Sequence, residues 1–461
     1  MADTLVGDLV DTVQREDGAN PSPLSQWGED NDQDDLSDRL YVPVAEGLEL
    51  EDIERYRPGD YHPTHIGDTF DNGRFRVLHK VGYSSRSLVW LARDLLEGST
   101  LVTLKILIAD ISGRCKEDRI LNALQSEEHG AESMHVPRLL HKFTIDGPNG
   151  SHICLVLPLI GPTICEYSAA QAKAGLSPYL PRDTAMNFSR QIVRVLAHLH
   201  SCGITHGDLK PANILVQLCN LDTLSDADIY SYLGAPKRVP LSPMSGEPTA
   251  PSAPSYGIVK ANLASFGLKR LTNTVKIADF VDSFSILSPP EIINTTLSYA
   301  APEILLEHKI SRSSDVWSLG CTLFELRFLK QLFPSYDDPR DIVLRSMVEI
   351  LGVPPEHQWQ KWENRRTYFP EGGPLETRVG GRSCLSETIR RFNKKTMQDN
   401  GGRGALSEDE IECFEDLLSR LLKYEPKERI TAFEAISHPW LQGENTSGAV
   451  ADEHVNTPNS S

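Results

Sequence analysis

The stretch of sequence that decides the fold is His206-Gly207-Asp208-Leu209-Lys210-Pro211-Ala212-Asn213-Ile214-Leu215. A lysine follows Asp208 by two positions, an asparagine follows it by five, and an apolar Ile-Leu-Val run closes the stretch. By itself, an aspartate followed five positions later by an asparagine could equally be a surface turn. The motifs around this stretch therefore have to decide between a functional loop and a chance match.

Five other short motifs accompany this stretch. They are Val102-Thr103-Leu104-Lys105 upstream, and Val275-Lys276-Ile277-Ala278-Asp279-Phe280, Ala301-Pro302-Glu303, Asp315-Val316-Trp317-Ser318-Leu319-Gly320 and Glu425-Pro426-Lys427-Glu428-Arg429-Ile430 downstream. In this order the motifs resemble the V-A-I-K, H-R-D-x-x-x-x-N, D-F-G, A-P-E and D-x-W-x-x-G signatures of eukaryotic protein kinases. The resemblance covers about residues 56 to 442 and implies a kinase fold.

The resemblance implies that residues 206–213 form the catalytic loop, with a role for each of its residues Asp208, Lys210 and Asn213. In protein kinases the loop aspartate receives the proton of the substrate hydroxyl, so this role falls to Asp208. Lys210 would neutralise charge on the transferring phosphate, and Asn213 would hold a metal ion. Asp279, at the end of a strand, would hold Mg²⁺ beside Asn213 and meet the charge of the β- and γ-phosphates of ATP.

Two ion pairs are also implied by the resemblance. Lys105 would contact the α- and β-phosphates, with Glu117 as its partner or Asp118 as the alternative. Arg429 lies where the family places the buried partner of Glu303, and breaking such a buried pair on one side is strongly destabilising. We expect the role of this second pair to be structural.

The resemblance also implies that a hinge and a glycine-rich loop contact the nucleotide. Residues 156–160 would form the hinge that binds adenine through its backbone, including Pro158 and Ile160. Pro158 lacks an N–H but keeps the carbonyl that is needed at its position. Gly82 and Val89 would lie in the loop that covers the nucleotide.

Further details are similar to one branch of this family. Gly59-Asp60-Tyr61-His62-Pro63, Val89-Trp90-Leu91-Ala92-Arg93-Asp94 and residues 154–162 resemble the serine/arginine-rich-protein-specific kinases, and more closely their fungal relatives. The insertion at residues 217–274 fits the spacer of that branch. The resemblance implies a protein substrate that is basic and rich in Ser and Arg. The net charge of −18 agrees with such a partner.

The glycine-rich loop departs from the family pattern. Of the glycines in G-x-G-x-x-G-x-V only Gly82 is present, and Ser84 and Ser87 replace the others. Glycines let backbone N–H groups approach the phosphates closely, so we expect a weaker grip on the nucleotide. Arg86, at the tip, could compensate by charge, but the prediction is a solvated side chain.

Two further departures concern the backbone near the catalytic loop. Val281 replaces the glycine of D-F-G, and a β-branched residue is stiff and resists positive φ. We expect the segment of Asp279 and Phe280 to be less free to flip. Gly207 replaces the arginine of H-R-D, which in many kinases pairs with a phosphorylated residue. The sequence predicts no such phosphorylation switch.

The functional prediction is an active serine/threonine kinase that uses ATP and Mg²⁺. The alternative is a catalytically weak or inactive pseudokinase that acts as a binding or scaffold module, motivated by the altered loop and by Val281. A small-molecule kinase of the same fold is disfavoured by the A-P-E and D-x-W-x-x-G signatures.

The pattern of apolar residues predicts an α+β arrangement in two lobes. Strands are predicted at residues 75–78, 88–92, 101–108 and 153–157, and helices at residues 184–200, 315–326 and 411–422. The predicted domains are a mostly disordered acidic segment (1–55), an N-terminal lobe (56–160), a C-terminal lobe (161–442) and a polar tail (443–461). Pro236–Pro254, inside the insertion, is dense in Pro, Ser, Ala and Gly and predicts a loop.

Composition limits the cellular setting. The sequence contains no apolar run long enough to cross a bilayer and no basic start typical of a secretory signal. Eight scattered cysteines favour reduced thiols, and hence a cytoplasmic or nuclear protein. An acidic surface should repel nucleic acid and anionic membranes, although acidity is also explained by solubility alone. We expect a monomer.

Overall fold

The N-terminal lobe is built on a six-stranded antiparallel sheet. Its strands are β1 (Thr69–Phe70), β2 (Phe75–Ser84), β3 (Ser87–Asp94), β4 (Thr100–Leu107), β5 (His141–Gly147) and β6 (Gly150–Pro158), in the order β1-β2-β3-β4-β6-β5. Two short helices, α1 (Ala109–Ser112) and α2 (Glu117–Leu124), follow β4. Aromatic and branched side chains such as Phe75, Trp90 and Leu104 are fully buried on the sheet, as pleated, half-buried surfaces favour. The four predicted strands are confirmed.

The computed structural model describes residues 39–42, 44, 47–125, 132–247, 249–291, 294–335, 339–370, 378–379, 382–399 and 404–443.

The chain enters the C-terminal lobe after β6. There α3 (Ile164–Lys173) and α4 (Arg182–Ser201) precede the short strands β7 (Ile204–Thr205) and β8 (Ile214–Leu218). The insertion then contributes α5 (Asp226–Leu233), β9 (Arg238–Pro240) and β10 (Tyr256–Ile258). After it come β11 (Leu271–Ile277), which pairs with β8, and β12 (Phe284–Ser285), which pairs with β7.

Helices dominate the remainder of the chain. They are α6 (Pro302–Glu307), α7 (Arg312–Phe328), α8 (Pro339–Leu351), α9 (Glu356–Trp359), α10 (Arg365–Tyr368), α11 (Cys384–Asp399), α12 (Glu408–Leu421), α13 (Ala432–Ile436) and α14 (Pro439–Gln442), with the hairpin of β13 (Arg378–Val379) and β14 (Arg382–Ser383) before α11. None of the described helices is long and apolar enough to cross a membrane. The predicted division into a strand-rich and a helical lobe is confirmed.

The three predicted long helices correspond to α4, α7 and α12, although α7 and α12 start three residues earlier than their apolar stripes. Ser311 and Ser407 explain the earlier starts, because each hydroxyl accepts a backbone N–H in the first turn as part of a capping box. Trp317 of α7 is completely buried and stacks on Phe333, so this helix forms the centre of the C-terminal core.

The insertion is folded, and the predicted loop at Pro236–Pro254 is wrong at β9, whose partner strand β10 lies just beyond it. Val239 pairs with Gly257 in this hairpin. Leu241, Ala253 and Ile258 are buried in the core of the N-terminal lobe. The Pro- and Ser-rich composition of this segment predicts a loop, and it masks the few apolar residues that pack against the lobe.

Helix α5 attaches the other half of the insertion to the same lobe. The carboxylate of Asp226, in its first turn, accepts hydrogen bonds from Arg76 at 2.6 Å and from Arg93 at 2.8 Å. The hydroxyl of Tyr230 donates to the backbone carbonyl of Leu78. Since β2 and β3 carry these partners, the insertion braces the sheet from one side.

The predicted boundary at residue 55 lies inside a packed segment. Tyr41 and Ile53 are buried in the N-terminal core, and Glu51 is buried beside them. The part of the acidic segment predicted to be disordered at residues 1–38, and the polar tail from residue 444, lie outside the described residues. The packed lobe therefore begins before residue 55.

A buried ion pair holds this N-terminal segment to the sheet. The side chains of Glu51 and Lys80 contact each other, and both are completely inaccessible to solvent. Glu51 also accepts a hydrogen bond from the hydroxyl of Tyr56. Burial lowers the pKa of Lys80 and the charge of Glu51 opposes this shift. Because the backbone carbonyl of Lys80 accepts the N–H of Ala261 at 2.9 Å, one strand position carries both the N-terminal segment and the insertion.

We predict that Glu51→Gln lowers the free energy of unfolding by about 3 kcal/mol, because the buried Lys80 loses its counter-charge. Glu349→Gln is the matched control, since Glu349 pairs with Arg345 where both side chains are about half exposed. It should change stability by no more than about 0.5 kcal/mol. Urea unfolding measures both values, and equal losses would contradict the structural role of the Glu51–Lys80 pair.

Candidate active site

A group of charges, buried at Lys105 and Glu117 and about one-third exposed at Asp279, joins the two lobes. The ammonium group of Lys105, on β4, donates to both carboxylate oxygens of Glu117, at 2.8 and 2.7 Å, and to Asp279 Oδ1 at 2.7 Å. Glu117 lies at the start of α2, and Asp279 follows β11. Asp118, the alternative partner, instead contacts Lys142. The structure therefore brings together three residues that the sequence places far apart.

The charges of this group stabilise one another. Burial alone lowers the pKa of Lys105, but Asp279 and Glu117 together raise it above its ordinary value. Burial raises the pKa of Glu117. Burial also disfavours the ionised form of Asp279, yet Lys105 holds its pKa below the ordinary value. The lysine therefore remains a cation between two carboxyl groups, where it can meet a phosphate.

The catalytic loop forms a second polar cluster on the C-terminal lobe. Asp208 contacts Lys210 at 2.6 Å, and the amide nitrogen of Asn213 donates to the backbone carbonyl of Asp208 at 2.8 Å. Thr296 completes the cluster, because its hydroxyl accepts from Lys210 at 2.6 Å and donates to Asp208 Oδ1 at 3.0 Å. The sequence motifs did not indicate Thr296, which lies 88 residues beyond Asp208.

A carboxylate of α7 fixes the backbone of this loop. Asp315 Oδ2 accepts the N–H of His206 at 2.7 Å, and its Oδ1 accepts the N–H of Gly207 at 2.9 Å. The imidazole Nε2 of His200 lies 3.0 Å from the same carboxylate. Asp315 was identified only as part of a signature, and the structure gives it the function of positioning the catalytic loop.

Two oxygen-bearing side chains lie where a cation could bind. Strand pairing joins Ile214 to Ile277, and the N–H of Ala278 donates to the carbonyl of Asn213 at 2.8 Å, so Asn213 and Asp279 lie beside the paired ends of β8 and β11. Carboxylate and amide oxygens suit Mg²⁺, which needs only one or two protein groups when phosphates and waters complete its shell. Among the described residues, no cluster of three or more His, Cys, Asp or Glu is arranged for a metal. The donor set therefore fits Mg²⁺ bound together with phosphates.

The predicted hinge begins in the last residues of β6 and continues beyond it. Pro158 pairs with Val102, and its carbonyl lies 3.5 Å from the hydroxyl of Thr103, which also donates to the carbonyl of Leu157 at 3.3 Å. The carbonyl of Ile160 accepts the N–H of Leu218 at 2.7 Å. The hinge backbone is thus held by β4 on one side and by β8 on the other.

The glycine-poor loop is the tight turn between β2 and β3. Gly82 pairs with Val89, and a Cβ on Gly82 would lie 3.3 Å from the Cβ of Val89, so this glycine lets the two strands approach. The hydroxyl of Ser84 accepts the N–H groups of Arg86 and Ser87, at 3.1 and 3.2 Å. In place of N–H groups that point into the cleft, the loop therefore has an internally hydrogen-bonded tip.

The prediction of a solvated Arg86 is wrong. Its guanidinium group lies 3.0 Å from the carboxylate of Asp282, and about three quarters of its side chain is buried. Asp282 follows the D-F-V motif, so the ion pair spans the cleft between the lobes. Sequence reasoning could not find it because 196 positions separate the partners and Asp282 belongs to none of the family motifs.

Val281 and Gly207, the two departures from the family pattern near the catalytic loop, both fit the observed backbone. The positive φ in the D-F-V motif occurs at Asp279, at 65°, and Val281 has no positive φ. The stiffness of a β-branched residue therefore causes no strain at Val281. Gly207 has a φ of 84°, and a Cβ there would lie 2.6 Å from the carbonyl oxygen of Asp282. In this conformation the position requires glycine, and the absence of a phosphorylation switch stays a prediction.

The expected structural pair is present. Arg429 donates to both carboxylate oxygens of Glu303, at 2.7 and 2.6 Å, and both residues are buried. The hydroxyl of Ser314 adds a third hydrogen bond to Glu303 at 2.9 Å. This pair joins α6 to the end of the C-terminal lobe, and so it supports the segment that carries Thr296.

Comparison with known proteins agrees with this architecture. A family model described as the protein kinase domain matches residues 75–230 and 265–441, and the stretch between them lies inside the insertion. The chain is 30% identical to the serine/threonine-protein kinase SRPK of Physarum polycephalum, over 89% of this chain and 93% of the relative. It is 26% identical to a serine/threonine protein kinase of Aspergillus fumigatus over 86% of this chain and 91% of the relative, and 23% identical to protein kinase dsk1 of Schizosaccharomyces pombe over 85% of each.

The chain belongs to the eukaryotic protein kinases, in the branch of the serine/arginine-rich-protein-specific kinases. The resemblance stated from the motifs is confirmed, and the protein is a serine/threonine protein kinase.

We predict that Gly207→Ala lowers the rate of phosphoryl transfer about 100-fold, because the new Cβ must displace the carbonyl of Asp282 and with it the catalytic loop. Gly175→Ala is the control. Gly175 also has positive φ, at 75°, but nothing lies within 4 Å of the Cβ that would be added. Both variants should lose about 1 kcal/mol of stability from the backbone alone.

Initial rates and thermal unfolding of the two variants separate these effects. A Gly207→Ala protein that transfers phosphate as fast as Gly175→Ala would contradict the close packing of the catalytic loop against Asp282.

Proposed function

We propose that this kinase transfers the γ-phosphoryl group of ATP, bound with Mg²⁺, to serine or threonine hydroxyls of basic, Arg-Ser-type protein substrates. One observation carries the proposal: Lys105, Glu117 and Asp279 meet in one hydrogen-bonded group, and Asp208, Lys210 and Asn213 form a second group on the facing lobe. All charged groups that in-line phosphoryl transfer needs are therefore present and hydrogen-bonded.

In this mechanism each residue of the chain has a defined task. Lys105, kept charged by its two carboxylates, binds the α- and β-phosphates, and Asn213 and Asp279 hold the metal ion, which neutralises the phosphates when bound. Asp208 accepts the proton of the attacking hydroxyl, and Lys210 offsets the charge that develops on the transferring group. Most of the acceleration comes from positioning and from charge stabilisation by these groups.

Thr296 and the hinge assist the same reaction. Thr296 holds Asp208 and Lys210 in contact through one hydroxyl, so the base and the cation keep a fixed geometry. Backbone groups of Pro158 and Ile160 contact adenine, while Gly82 and Val89 cover the nucleotide from the N-terminal lobe. These contacts position the γ-phosphate opposite the acceptor hydroxyl.

The two observations that motivated the alternative of an inactive pseudokinase do not favour it. Val281 is accommodated without positive φ, and the altered loop tip carries a cation in the cleft. Relatives that match most of the chain bear the names of serine/threonine-protein kinases.

The net charge supports the proposed substrate class. A charge of −18 favours a basic protein partner over nucleic acid or an anionic membrane surface. The resemblance to serine/arginine-rich-protein-specific kinases supports serine in Arg-Ser repeats as the acceptor. The protein acts as a monomer in the cytoplasm, the nucleus or both.

The test incubates the full-length protein with labelled ATP, Mg²⁺ and an Arg-Ser repeat peptide. The parent protein should label this peptide, and a Glu-Ser repeat of equal length should remain unlabelled. Asp208→Asn should lower the rate by about 10³-fold, since it removes the general base. Asp183→Asn, a change of the same kind at a side chain that is 95% exposed on α4, should leave the rate unchanged.

Equal labelling by the parent protein and by Asp208→Asn would refute the catalytic assignment. Equal labelling of the two peptides would refute the substrate class and leave the kinase activity intact.

A further inference from the structure

The ion pair of Arg86 and Asp282 crosses the cleft between the two lobes. It lies near Asp208 and Asp279. Arg86 belongs to the tip between β2 and β3, and Asp282 lies three positions after Asp279. Their charged groups are 3.0 Å apart, with 24% and 20% of the side chains exposed. The pair connects the loop tip to the C-terminal lobe beside Asp208 and Asp279.

The tip is held in place by its backbone, so the Arg86 side chain is the group that can move. The carbonyl of Ser84 accepts the hydroxyl of Tyr61 at 2.6 Å, and the carbonyl of Arg86 accepts the N–H of Ile108 at 2.9 Å. The N–H groups of Arg86 and Ser87 are both used by the hydroxyl of Ser84. A turn with these hydrogen bonds has no free N–H at Arg86 or Ser87 for a phosphate, and the charge it can offer is the guanidinium of Arg86.

Asp282 is a weak partner for this guanidinium. Its carboxyl group is largely buried, and the nearby charges of Asp208 and Asp279 oppose its ionisation. Burial and these two carboxylates raise the pKa of Asp282 to about 6, although Arg86 acts in the opposite direction. A phosphate at this place would offer more negative charge and a bidentate geometry that a guanidinium matches well.

We propose that Arg86 is a phosphate-binding residue that exchanges Asp282 for the terminal phosphate of bound ATP, and so replaces the missing glycine-loop contacts. This inference rests on the proposed use of ATP. Without nucleotide, Arg86 neutralises one of three carboxylates around the catalytic loop. With ATP bound, the guanidinium contacts the γ-phosphate from the N-terminal lobe, opposite Lys210.

The exchange has a consequence that a fixed structural ion pair lacks. Because Asp282 competes with the phosphate for Arg86, removing each partner must change ATP affinity in opposite directions. Arg86→Ala removes the phosphate contact and weakens ATP binding. Asp282→Asn removes the competitor and strengthens ATP binding, provided that Arg86 is present.

The experiment is a double-mutant cycle on the full-length protein, with affinities for ATP and for adenosine measured by calorimetry, with Mg²⁺ and again with a chelator. Arg86→Ala should weaken ATP binding about tenfold and change adenosine binding less than twofold, since hydrogen bonds between charged groups are strong and adenosine has no phosphate. Asp282→Asn should strengthen ATP binding about threefold, and this gain should vanish in the double variant.

Arg86→Lys provides a second measurement that does not depend on losing the charge. The variant should bind ATP more weakly than the parent protein but more tightly than Arg86→Ala, because lysine keeps the charge but cannot bind two phosphate oxygens at once. Thermal unfolding of every variant without ligand shows whether the fold is retained, and Arg86→Gln replaces Arg86→Ala if that variant does not fold.

Three results would overturn the inference. In the first, Arg86→Ala weakens the binding of ATP and of adenosine equally, which indicates that the Arg86–Asp282 pair is purely structural. In the second, Asp282→Asn weakens ATP binding as Arg86→Ala does. In the third, the parent protein binds no ATP, which refutes the proposed function as well. If ATP binds through Arg86 and the Arg-Ser peptide remains unlabelled, the inference holds and the proposed substrate fails.

Discussion

The contact of Lys105 with Glu117 and Asp279 is the interaction on which the arrangement of the two lobes depends. It joins a strand and a helix of the N-terminal lobe to the end of β11 in the C-terminal lobe. Glu117 also accepts the N–H of Phe280 at 3.0 Å, so one carboxylate orients both the lysine and the backbone beside Asp279, the proposed metal ligand. Removing one member would leave an unpaired charge in a buried site, which is strongly unfavourable.

The rest of the site is arranged around that contact. Asp315 holds the catalytic loop by two backbone N–H groups, and Thr296 fixes Asp208 against Lys210. The tip of the altered glycine loop reaches the same cleft through Arg86. A loop that lacks two glycines is therefore compatible with an active kinase, because charge can replace part of what close backbone approach provides.

Sequence reasoning predicted most of the fold, because apolar periodicity is local and six motifs occur in one order. It also named Lys105, Glu117, Asp208 and Asp279, whose spacing is tied to those motifs. It missed Thr296 and the solvent-protected position of Arg86, because each depends on a partner that is distant in the chain.

The insertion and the N-terminal boundary were missed for a different reason. Composition alone suggested a loop and a disordered segment, whereas a few apolar residues and the Glu51–Lys80 pair are enough to pack them on the sheet. Burial of a small number of side chains can outweigh a polar average, and the sequence gives no local sign of which distant surface will cover them.

The most direct test of the account is the phosphoryl-transfer rate of Glu117→Gln compared with Asp118→Asn. The two acids are adjacent in the first turn of α2, but only Glu117 contacts Lys105, while Asp118 pairs with the half-exposed Lys142. The account predicts a loss of about 100-fold or more in kcat/KM for Glu117→Gln and less than twofold for Asp118→Asn, with both proteins folded. A Glu117→Gln protein that retains the parental rate would contradict the central role of the Lys105–Glu117–Asp279 contact.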